Sequence, residues 1–255
     1  MIVSTDAIIL RSMKYGDTSK IVTVYSRKYG KMKVIAKGAR GAKTKFGASL
    51  EPMTHSSIVV YRKEHRDLHL LSKSEIAEPL LRLSADGNRL AVGLAIVELV
   101  NMVMHDEEEN HPMFSLLLDS LQALNLSSGN TENILFAFEL RMLELFGYGL
   151  DVNRCSKCGR DIVVDPGTES GFLMLSTGSV ICSECHSTFN AGGIRLSKEM
   201  IRSFIHLRNA ELKSVTDMRL SAAMKEEMFA LLHMYLKYHI EGVRTLKSLS
   251  VFINT

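Results

Sequence analysis

The spacing of apolar residues along the chain changes its period once, near Pro79. Before Pro79, short apolar or alternating runs are separated by turn residues, a pattern typical of β-strands. Five such runs occupy residues 7–10, 21–25, 32–36, 58–61 and 68–71. After Pro79, apolar residues recur three or four positions apart, as on one face of a helix. The pattern therefore predicts about five strands followed by a helical region, in an α+β multidomain chain.

The third predicted strand alternates between apolar and basic residues. Because successive side chains of a strand point to opposite faces, Met32, Val34 and Ala36 share one face, which we expect to pack in a core. The other face carries Ile35 and three lysines: Lys31, Lys33 and Lys37. Five short strands in a basic N-terminal segment favour a five-stranded OB-fold β-barrel, a fold that binds oligonucleotides, with an SH3-like barrel as the alternative.

Helical periodicity is found in five segments after Pro79. They lie at residues 90–104, 111–124, 131–146, 200–207 and 224–235. Pro112 suits the first turn of the second helix, since proline lacks the N–H that would be unpaired there. Ser197 is placed to cap the fourth helix. The acidic run at residues 106–109 is predicted to be a solvated loop.

Four cysteines form two matched pairs, Cys155-Ser-Lys-Cys158 and Cys182-Ser-Glu-Cys185. A C-x-x-C pair on a turn lets two thiolates reach one ion, and two pairs complete the tetrahedral shell of a structural Zn²⁺. An accidental set of cysteines and a redox dithiol are the alternatives, although a redox C-x-x-C normally stands alone near a βαβ unit. His186 is a possible substitute ligand, although a surface residue is the favoured interpretation.

A catalytic zinc is not expected at these cysteines, because four thiolates leave no position for water. A deaminase would need His-x-Glu followed by Pro-Cys-x-x-Cys. His105-Asp-Glu107 resembles the first half, but Arg154 stands where the proline is required. The chain is therefore not expected to be an enzyme, and a zinc hydrolase or deaminase remains only as a competing class.

The sequence shows neither a spanning segment nor a secretory signal. The most apolar stretch, residues 90–104, is shorter than the ~20 residues that cross a bilayer, and Met1 to Asp6 lack the pattern of a signal peptide. We expect a cytoplasmic protein in a reducing compartment, where paired cysteines hold metal rather than form disulfides. The predicted domains are the OB-fold nucleic-acid-binding domain at 1–80, the first part of a helical domain at 81–150, the zinc-binding module at 151–192 and the second helical part at 193–255.

Basic residues are concentrated in the predicted barrel. Residues 1–80 contain 15 lysines and arginines against 7 acidic residues, a net charge of +8, and residues 11–45 contain eleven basic residues with a single acid, Asp17. Such a charge distribution attracts polyanions. Ten of these residues are the candidate DNA-binding set: Arg11, Lys14, Lys20, Arg27, Lys31, Lys33, Lys37, Arg40, Lys43 and Lys45.

Aromatic residues lie between these cations, and rings that are not in the core could stack with bases. They are Tyr15, Tyr25, Tyr29 and Phe46. The run Gly38 to Thr44 is similar to a phosphate-binding P-loop, but Ala42 replaces the glycine that must precede the Lys-Thr pair. Because no recognition-helix or RNP motif is present, we expect binding mainly to the nucleic-acid backbone, with a strong dependence on salt.

Five motifs and the order of the segments resemble one known family. The motifs are Asp6-Ala-Ile-Ile-Leu-Arg-Ser-Met-Lys-Tyr-Gly-Asp-Thr18, Tyr29-Gly-Lys31, Ala36-Lys-Gly-Ala-Arg40 with Lys45-Phe-Gly-Ala48, Leu50-Glu-Pro52 and Leu246-Lys-Ser248. They look like elements of the RecO recombination mediators of bacterial DNA repair. The resemblance covers nearly the whole chain.

The resemblance implies a function that the residues alone do not. RecO-type proteins bind single- and double-stranded DNA, anneal complementary strands, contact the C-terminal tail of single-stranded DNA-binding protein, and work with RecR to load RecA. Some members lack the cysteines, which implies a structural metal. The alternative is a zinc-ribbon nucleic-acid-binding protein of transcription or translation that does not anneal strands.

Overall fold

The computed structural model describes residues 1–63, 66–165, 170–189 and 192–249. The chain forms two compact units. The first contains residues 1–126 together with the described residues from Gly242 onward, and the second contains Ser127–Glu241. The domain boundaries given above stay predictions, and the two units are described separately below.

The first unit begins with a closed barrel of five strands. These are β1 Ile2–Tyr15, β2 Ser19–Ser26, β3 Gly30–Ala36, β4 His55–Tyr61 and β5 Leu68–Glu78. Their order around the barrel is β1-β2-β3-β5-β4, with β3 and β5 parallel and the other neighbours antiparallel. All five predicted runs lie inside these strands, and the closed five-stranded barrel confirms the predicted fold class.

Alternating side chains fill the barrel, as the sequence pattern predicted. Met32, Val34 and Ala36 of β3 are buried there with Val22 of β2 and Ile58 of β4. The intervening residues of each strand face outward. The parallel pairing of β3 with β5 is short and runs only from Lys33 opposite Leu68 to Ile35 opposite Leu70. This short pairing leaves the backbone of Lys31 free for another partner.

Two helices complete the first unit. They are α1 Gly87–Val103 and α2 His111–Leu126, and two short 3-10 helices stand at Gly47–Leu50 and Lys247–Leu249. Asp86 caps α1, because its side chain accepts the backbone N–H of Arg89 at 2.9 Å. The Glu98 carboxylate accepts the backbone N–H and the hydroxyl of Ser248. These bonds hold the end of the described chain against α1.

The second unit combines helices with a four-stranded sheet. Its elements are α3 Glu132–Leu145, β6 Asp151–Cys155, β7 Ser170–Met174, β8 Ser179–Cys182, α4 Ser183–Phe189, β9 Ile194–Ser197, α5 Lys198–Asn209, a 3-10 helix at Val215–Asp217 and α6 Ala222–His239. The sheet order is β6-β8-β7-β9. The predicted cap of α5 is confirmed, because Ser197 Oγ accepts the backbone N–H of Met200 at 3.1 Å. Among the described residues, no helix is both long and apolar enough to cross a membrane.

Candidate metal centre and nucleic-acid interface

The four cysteines converge on one point in the second unit. Their sulfur atoms all lie within 4.8 Å of one another. The Sγ atoms of Cys158 and Cys182 are 3.8 Å apart. Two thiolates bound to one tetrahedral Zn²⁺ at about 2.3 Å would be separated by roughly 3.8 Å. One pair of thiols therefore has the spacing of two ligands on a tetrahedral metal ion, and all four lie close enough together to share one ion.

Local structure places each cysteine. Cys155 ends β6, and the turn after it is closed by two backbone bonds, from Gly159 N–H to the Cys155 carbonyl and from Cys155 N–H to the Arg160 carbonyl, both 2.8 Å. Cys182 ends β8, and Cys185 lies in the first turn of α4. Since β6 and β8 are parallel neighbours, the chain leaves both strands at the same edge of the sheet and the two pairs meet there.

Hydrogen bonds and burial give the thiols different acidities. Burial opposes ionisation of Cys155, but the backbone N–H groups of Cys158 and Cys182 outweigh it and lower the pKa of this thiol to about 6. Burial and the neighbouring Cys182 thiol raise the pKa of Cys185 to about 12. A cation would be needed to hold all four as thiolates, so binding of a metal would release protons.

His186 is not among the clustered ligands. Its ring stacks on Phe172, with 3.6 Å between the ring centroids and an interplanar angle of 8°. Among the described residues, the group that could hold a metal ion consists of the four cysteines. Next to the cysteine cluster, the Arg160 guanidinium forms ion pairs with the carboxylates of Asp165 and Glu184. These ion pairs link the turn after β6 to α4.

Nine of the ten candidate DNA-binding cations fall into two groups, and Arg40 belongs to neither. Four of them form ion pairs within the first unit. Their partners are Glu51 for Lys20 at 2.8 Å, Asp6 for Arg27 at 3.8 Å, and Asp106 for both Lys31 at 3.3 Å and Lys33 at 3.2 Å. Arg27 also lies over the ring of Phe114, 4.4 Å from its centroid. The charge of these four side chains is partly compensated inside the protein.

The other group is exposed and has no acidic partner among the described residues. It contains Arg11, Lys14, Lys37, Lys43 and Lys45. Arg40 differs from both groups. It has no acidic partner among the described residues, but its guanidinium donates to the Gly16 carbonyl at 2.8 Å. That bond, and a second from Arg40 N–H to the Thr18 carbonyl, tie the basic loop after β3 to the β1–β2 turn. We call the five exposed residues the free cations.

The acidic run at residues 106–109 is exposed, in agreement with the predicted solvated loop, but it is also docked on the barrel, which the sequence did not indicate. Glu107 N–H donates to the Lys31 carbonyl at 2.8 Å, at the point where β3 has no partner in β5. Glu107 also binds Arg62 and His69, whose ring nitrogen is 2.8 Å from its carboxylate. A β-carbon on Gly30 would lie only 2.0 Å from the Glu108 carbonyl, and the backbone φ of Gly30 is +62°. Glycine is therefore required at this position.

The carboxylates of the docked loop are held ionised by their neighbours. The hydrogen bond from Arg62 is the main cause of the lowered pKa of Glu107. Burial raises the pKa of Asp106, but the hydrogen bond and charge of Lys33 and Lys31 outweigh it, and the net shift is downward. The docked loop therefore partly neutralises the basic side chains around the start of β3, through Asp106 and Glu107.

The four aromatic residues that lie between the cations in the sequence differ in their exposure. Tyr25 and Phe46 are buried and are not available for stacking, and Tyr29 lies partly buried beneath Arg62, 5.2 Å from its guanidinium carbon. Tyr15 is 52% exposed at the end of β1 and is the one of the four that could stack with a base. The burial of Tyr25 follows from its contact with Phe114 of α2.

One basic residue near the interface was missed. Arg66 lines a depression of about 340 Å³ with Lys31, Lys33, His69 and Glu107. The segment from Arg62 to Arg66 is itself basic, so extending the candidate set beyond residue 45 would have included Arg66. Its position opposite β3 depends on the parallel β3–β5 pairing, which the sequence does not indicate.

The fold and these two sites define a class of protein, a five-stranded barrel with exposed cations followed by helices that carry a four-cysteine centre. Family models agree with this description. The model "Recombination protein O N terminal" matches residues 1–80, and the model "Recombination protein O C terminal" matches residues 84–250. The chain belongs to the recombination protein O family, which supports a role in DNA repair and recombination.

Similar proteins are found along the whole length of the chain. A "DNA repair protein RecO" of Salinibacter ruber is 33% identical over 255 residues, covering 98% of this chain and 93% of the relative. Proteins of the same name from Chloroherpeton thalassium and Alkaliphilus metalliredigens are 27% and 26% identical, with 99% and 95% of this chain covered. They cover 98% and 96% of those relatives.

Proposed function

We propose that this protein is a recombination mediator that binds single- and double-stranded DNA and anneals complementary strands. The observation that carries the proposal is the group of free cations on a closed barrel, in a chain of the recombination protein O family. Lysine and arginine side chains neutralise phosphates, and neutralisation lowers the repulsion between two strands so that bases can pair. Annealing of this kind consumes no cofactor.

Partners form the second part of the proposal. Together with RecR, the protein would help to load RecA on DNA coated by single-stranded DNA-binding protein, whose C-terminal tail it would contact. Family membership is the support for these partners, and they imply a cytoplasmic, nucleoid-associated location. The family resemblance also favours a protein without bond-breaking activity.

The four-cysteine centre would bind a structural zinc ion. Cys155, Cys158, Cys182 and Cys185 would supply four thiolates, which fill a tetrahedral shell and leave no position for a reacting water. The ion would contribute stability to the sheet formed by β6 to β9. Because no coordination position would be left for water, we assign the metal a structural role rather than a catalytic one.

A strand-annealing assay tests the proposal. Two complementary labelled oligonucleotides are mixed with the wild-type protein or with a Lys37→Glu, Lys43→Glu, Lys45→Glu variant. Arg40 is left unchanged because it holds the basic loop to the barrel. We expect the wild type to accelerate pairing and the variant to lose this activity. The matched control reverses three exposed cations of the second unit, which gives the same change in net charge: Lys213→Glu, Arg219→Glu and Lys237→Glu.

The assay also separates the alternative function. A protein that shifts both strands in a gel but never accelerates their pairing is a nucleic-acid binder of the zinc-ribbon type, and the mediator proposal fails. Equal loss of annealing in the test and control variants would show that net charge, rather than the free cations, is responsible.

A further inference from the structure

One thiol of the cysteine cluster is exposed, while the other three are buried. Cys158 is exposed in the turn after β6, whereas Cys155 and Cys182 are 2% and 1% exposed. Lys157, directly before Cys158, is also exposed and has no acidic partner among the residues that the structure describes. Cysteines that react with oxidants are accessible and lie beside positive charge. Cys158 is therefore the thiol of the cluster that a dissolved oxidant reaches first.

A second thiol lies within reach of Cys158. The Sγ atoms of Cys158 and Cys182 are 3.8 Å apart, although these cysteines belong to different C-x-x-C pairs and are 24 positions apart in the sequence. The other member of the first pair is engaged elsewhere, because Cys155 Sγ accepts the backbone N–H of Cys182 at 3.3 Å. A disulfide bond is about 2.05 Å long, so the two sulfurs need to approach by roughly 1.8 Å, a movement that two side chains can share.

We propose that the cysteine centre is a site of reversible oxidation, in which a hydroperoxide oxidises Cys158 and Cys182 closes a disulfide. The Cys158 thiolate attacks one peroxide oxygen and becomes a sulfenic acid, while the O–O bond breaks and the other oxygen takes up a proton and leaves as water or an alcohol. The Cys182 thiolate then attacks the sulfenic sulfur, the S–O bond breaks, and the released hydroxide takes up a proton. The two thiolates lose two electrons, which the peroxide gains.

Oxidation would take two of the four sulfurs out of the metal-ligand set. The remaining thiols, Cys155 and Cys185, are too few to fill a tetrahedral shell, so the centre would lose its ion. This part of the inference rests on the zinc proposed above. The disulfide would join the turn after β6 to the end of β8, the same two places that the metal would hold together. The sheet would thus keep a cross-link in both states.

Peptide mapping of the full-length protein, loaded with zinc and treated with hydrogen peroxide, tests the proposal. Trypsin cuts behind Lys157 and Arg160, and a glutamate-specific protease cuts behind Glu184, so the four cysteines fall on separate peptides. We expect the disulfide between Cys158 and Cys182 to be the main product. One zinc ion should be released per disulfide, as measured with a chromogenic chelator, and a dithiol reductant with added zinc should restore the starting state.

Two controls show whether the folded arrangement selects the product. In denaturant, the short loops within each pair close most readily, so Cys155 should pair with Cys158, and Cys182 with Cys185. Hydrogen exchange reports the cross-link, because a disulfide restricts the unfolded chain. Strand β8 should keep its protection in the oxidised protein and lose it when metal is removed from the reduced protein.

A matched pair of variants tests which thiol reacts first. Lys157→Gln removes the positive charge beside Cys158 and should slow disulfide formation and zinc release about two- to threefold, the size of an interaction between exposed charges. Lys213→Gln removes an exposed lysine elsewhere in the second unit and should leave both rates unchanged. Equal rates for the two variants would show that Cys158 is not the thiol that reacts first.

Two results of the mapping would overturn the site: a main product that joins the members of one pair, or oxidation of single sulfurs to sulfinic acid without a disulfide. A folded wild-type protein that binds no zinc would instead refute the proposed metal, and the mapping would still decide whether the disulfide forms.

Discussion

The four cysteines and the ten candidate cations are both clusters of one chemical type in the sequence, yet the fold treats them differently. All four cysteines meet at one point. The cations separate, with four of them paired to acids and five exposed without an acidic partner among the described residues. Two of the pairing acids lie far along the chain from their lysines. Glu51 is 31 positions from Lys20, and Asp106 is 73 positions from Lys33.

This difference shows how far a sequence motif specifies the geometry of a site. A C-x-x-C spacing already places two sulfurs on one turn, so the fold has only to bring two turns together. A cluster of cations specifies a charged surface but not its counter-ions. The docked acidic loop supplies the counter-ion of Lys31 and Lys33, and its position is set by the vacant backbone of β3 at Lys31.

Loss of a cysteine is expected to have the largest effect. Structural zinc contributes ~10–16 kcal/mol in small zinc-binding peptides, so Cys182→Ser should abolish metal binding and unfold the β6–β9 sheet. The matched control is Ser156→Ala, an exposed residue of the same turn region. Metal content and hydrogen exchange of the two units would be measured. A variant with normal zinc and normal protection of β8 would contradict the four-thiolate model.

The two units are expected to respond to pH in opposite directions. In the second unit, burial raises the pKa of Glu139 from 4.5 to about 8. The folded state therefore keeps a proton that the unfolded state loses, and stability falls as pH rises between these values, by at most ~1.4 kcal/mol per pH unit. Glu139→Gln should remove this dependence, which thermal unfolding at about pH 5 and about pH 8 would measure.

In the first unit the sign is reversed. The pKa values of Asp106 and Glu107 are lowered in the folded protein, so their contribution is present above the unfolded pKa and is lost as pH falls through the folded pKa. Both side chains are more than one third exposed, which makes the effect small. Parallel pH responses of α3 and of the barrel in hydrogen exchange would show that this comparison is wrong.

Single neutralisations distinguish free from paired cations. Lys43→Gln removes a free charge and should lower the salt slope for a single strand by about 0.7. Lys20→Gln, the matched variant at a lysine paired with Glu51, should change the slope by less. Titrations of an oligonucleotide at several salt concentrations measure both slopes. Equal slopes for the two variants would mean that internal pairing does not affect DNA contact.

The smallest effect is expected at the docked loop. Asp106→Asn releases Lys31 and Lys33 from their ion pair and should strengthen DNA binding by a factor of about two to five, since each pair is partly exposed. Asp119→Asn, an exposed acid of α2, is the control. Weaker binding in Asp106→Asn would indicate that the loop positions β3 for DNA instead of competing with it.

The sequence by itself determined the strands, most helices and the four cysteines that come together in one cluster. Period-two alternation placed Met32, Val34 and Ala36 on one face because the pleat of a strand is a local property, and the apolar character of that face predicted its burial. The spacing of the cysteines indicated their convergence for the same reason. The cap at Ser197 was also readable, since it depends on neighbours three residues away.

Only the tertiary structure decided which charged residues are paired and which thiol of the cluster is exposed. The pairing of β6 with β8 brings Cys158 to 3.8 Å from Cys182 and leaves Cys158 exposed, and the spacing within each cysteine pair cannot show this arrangement. Likewise, the ion pairs of Asp106 join residues about seventy positions apart. Such contacts depend on chain closure over long distances, and local spacing carries no information about them.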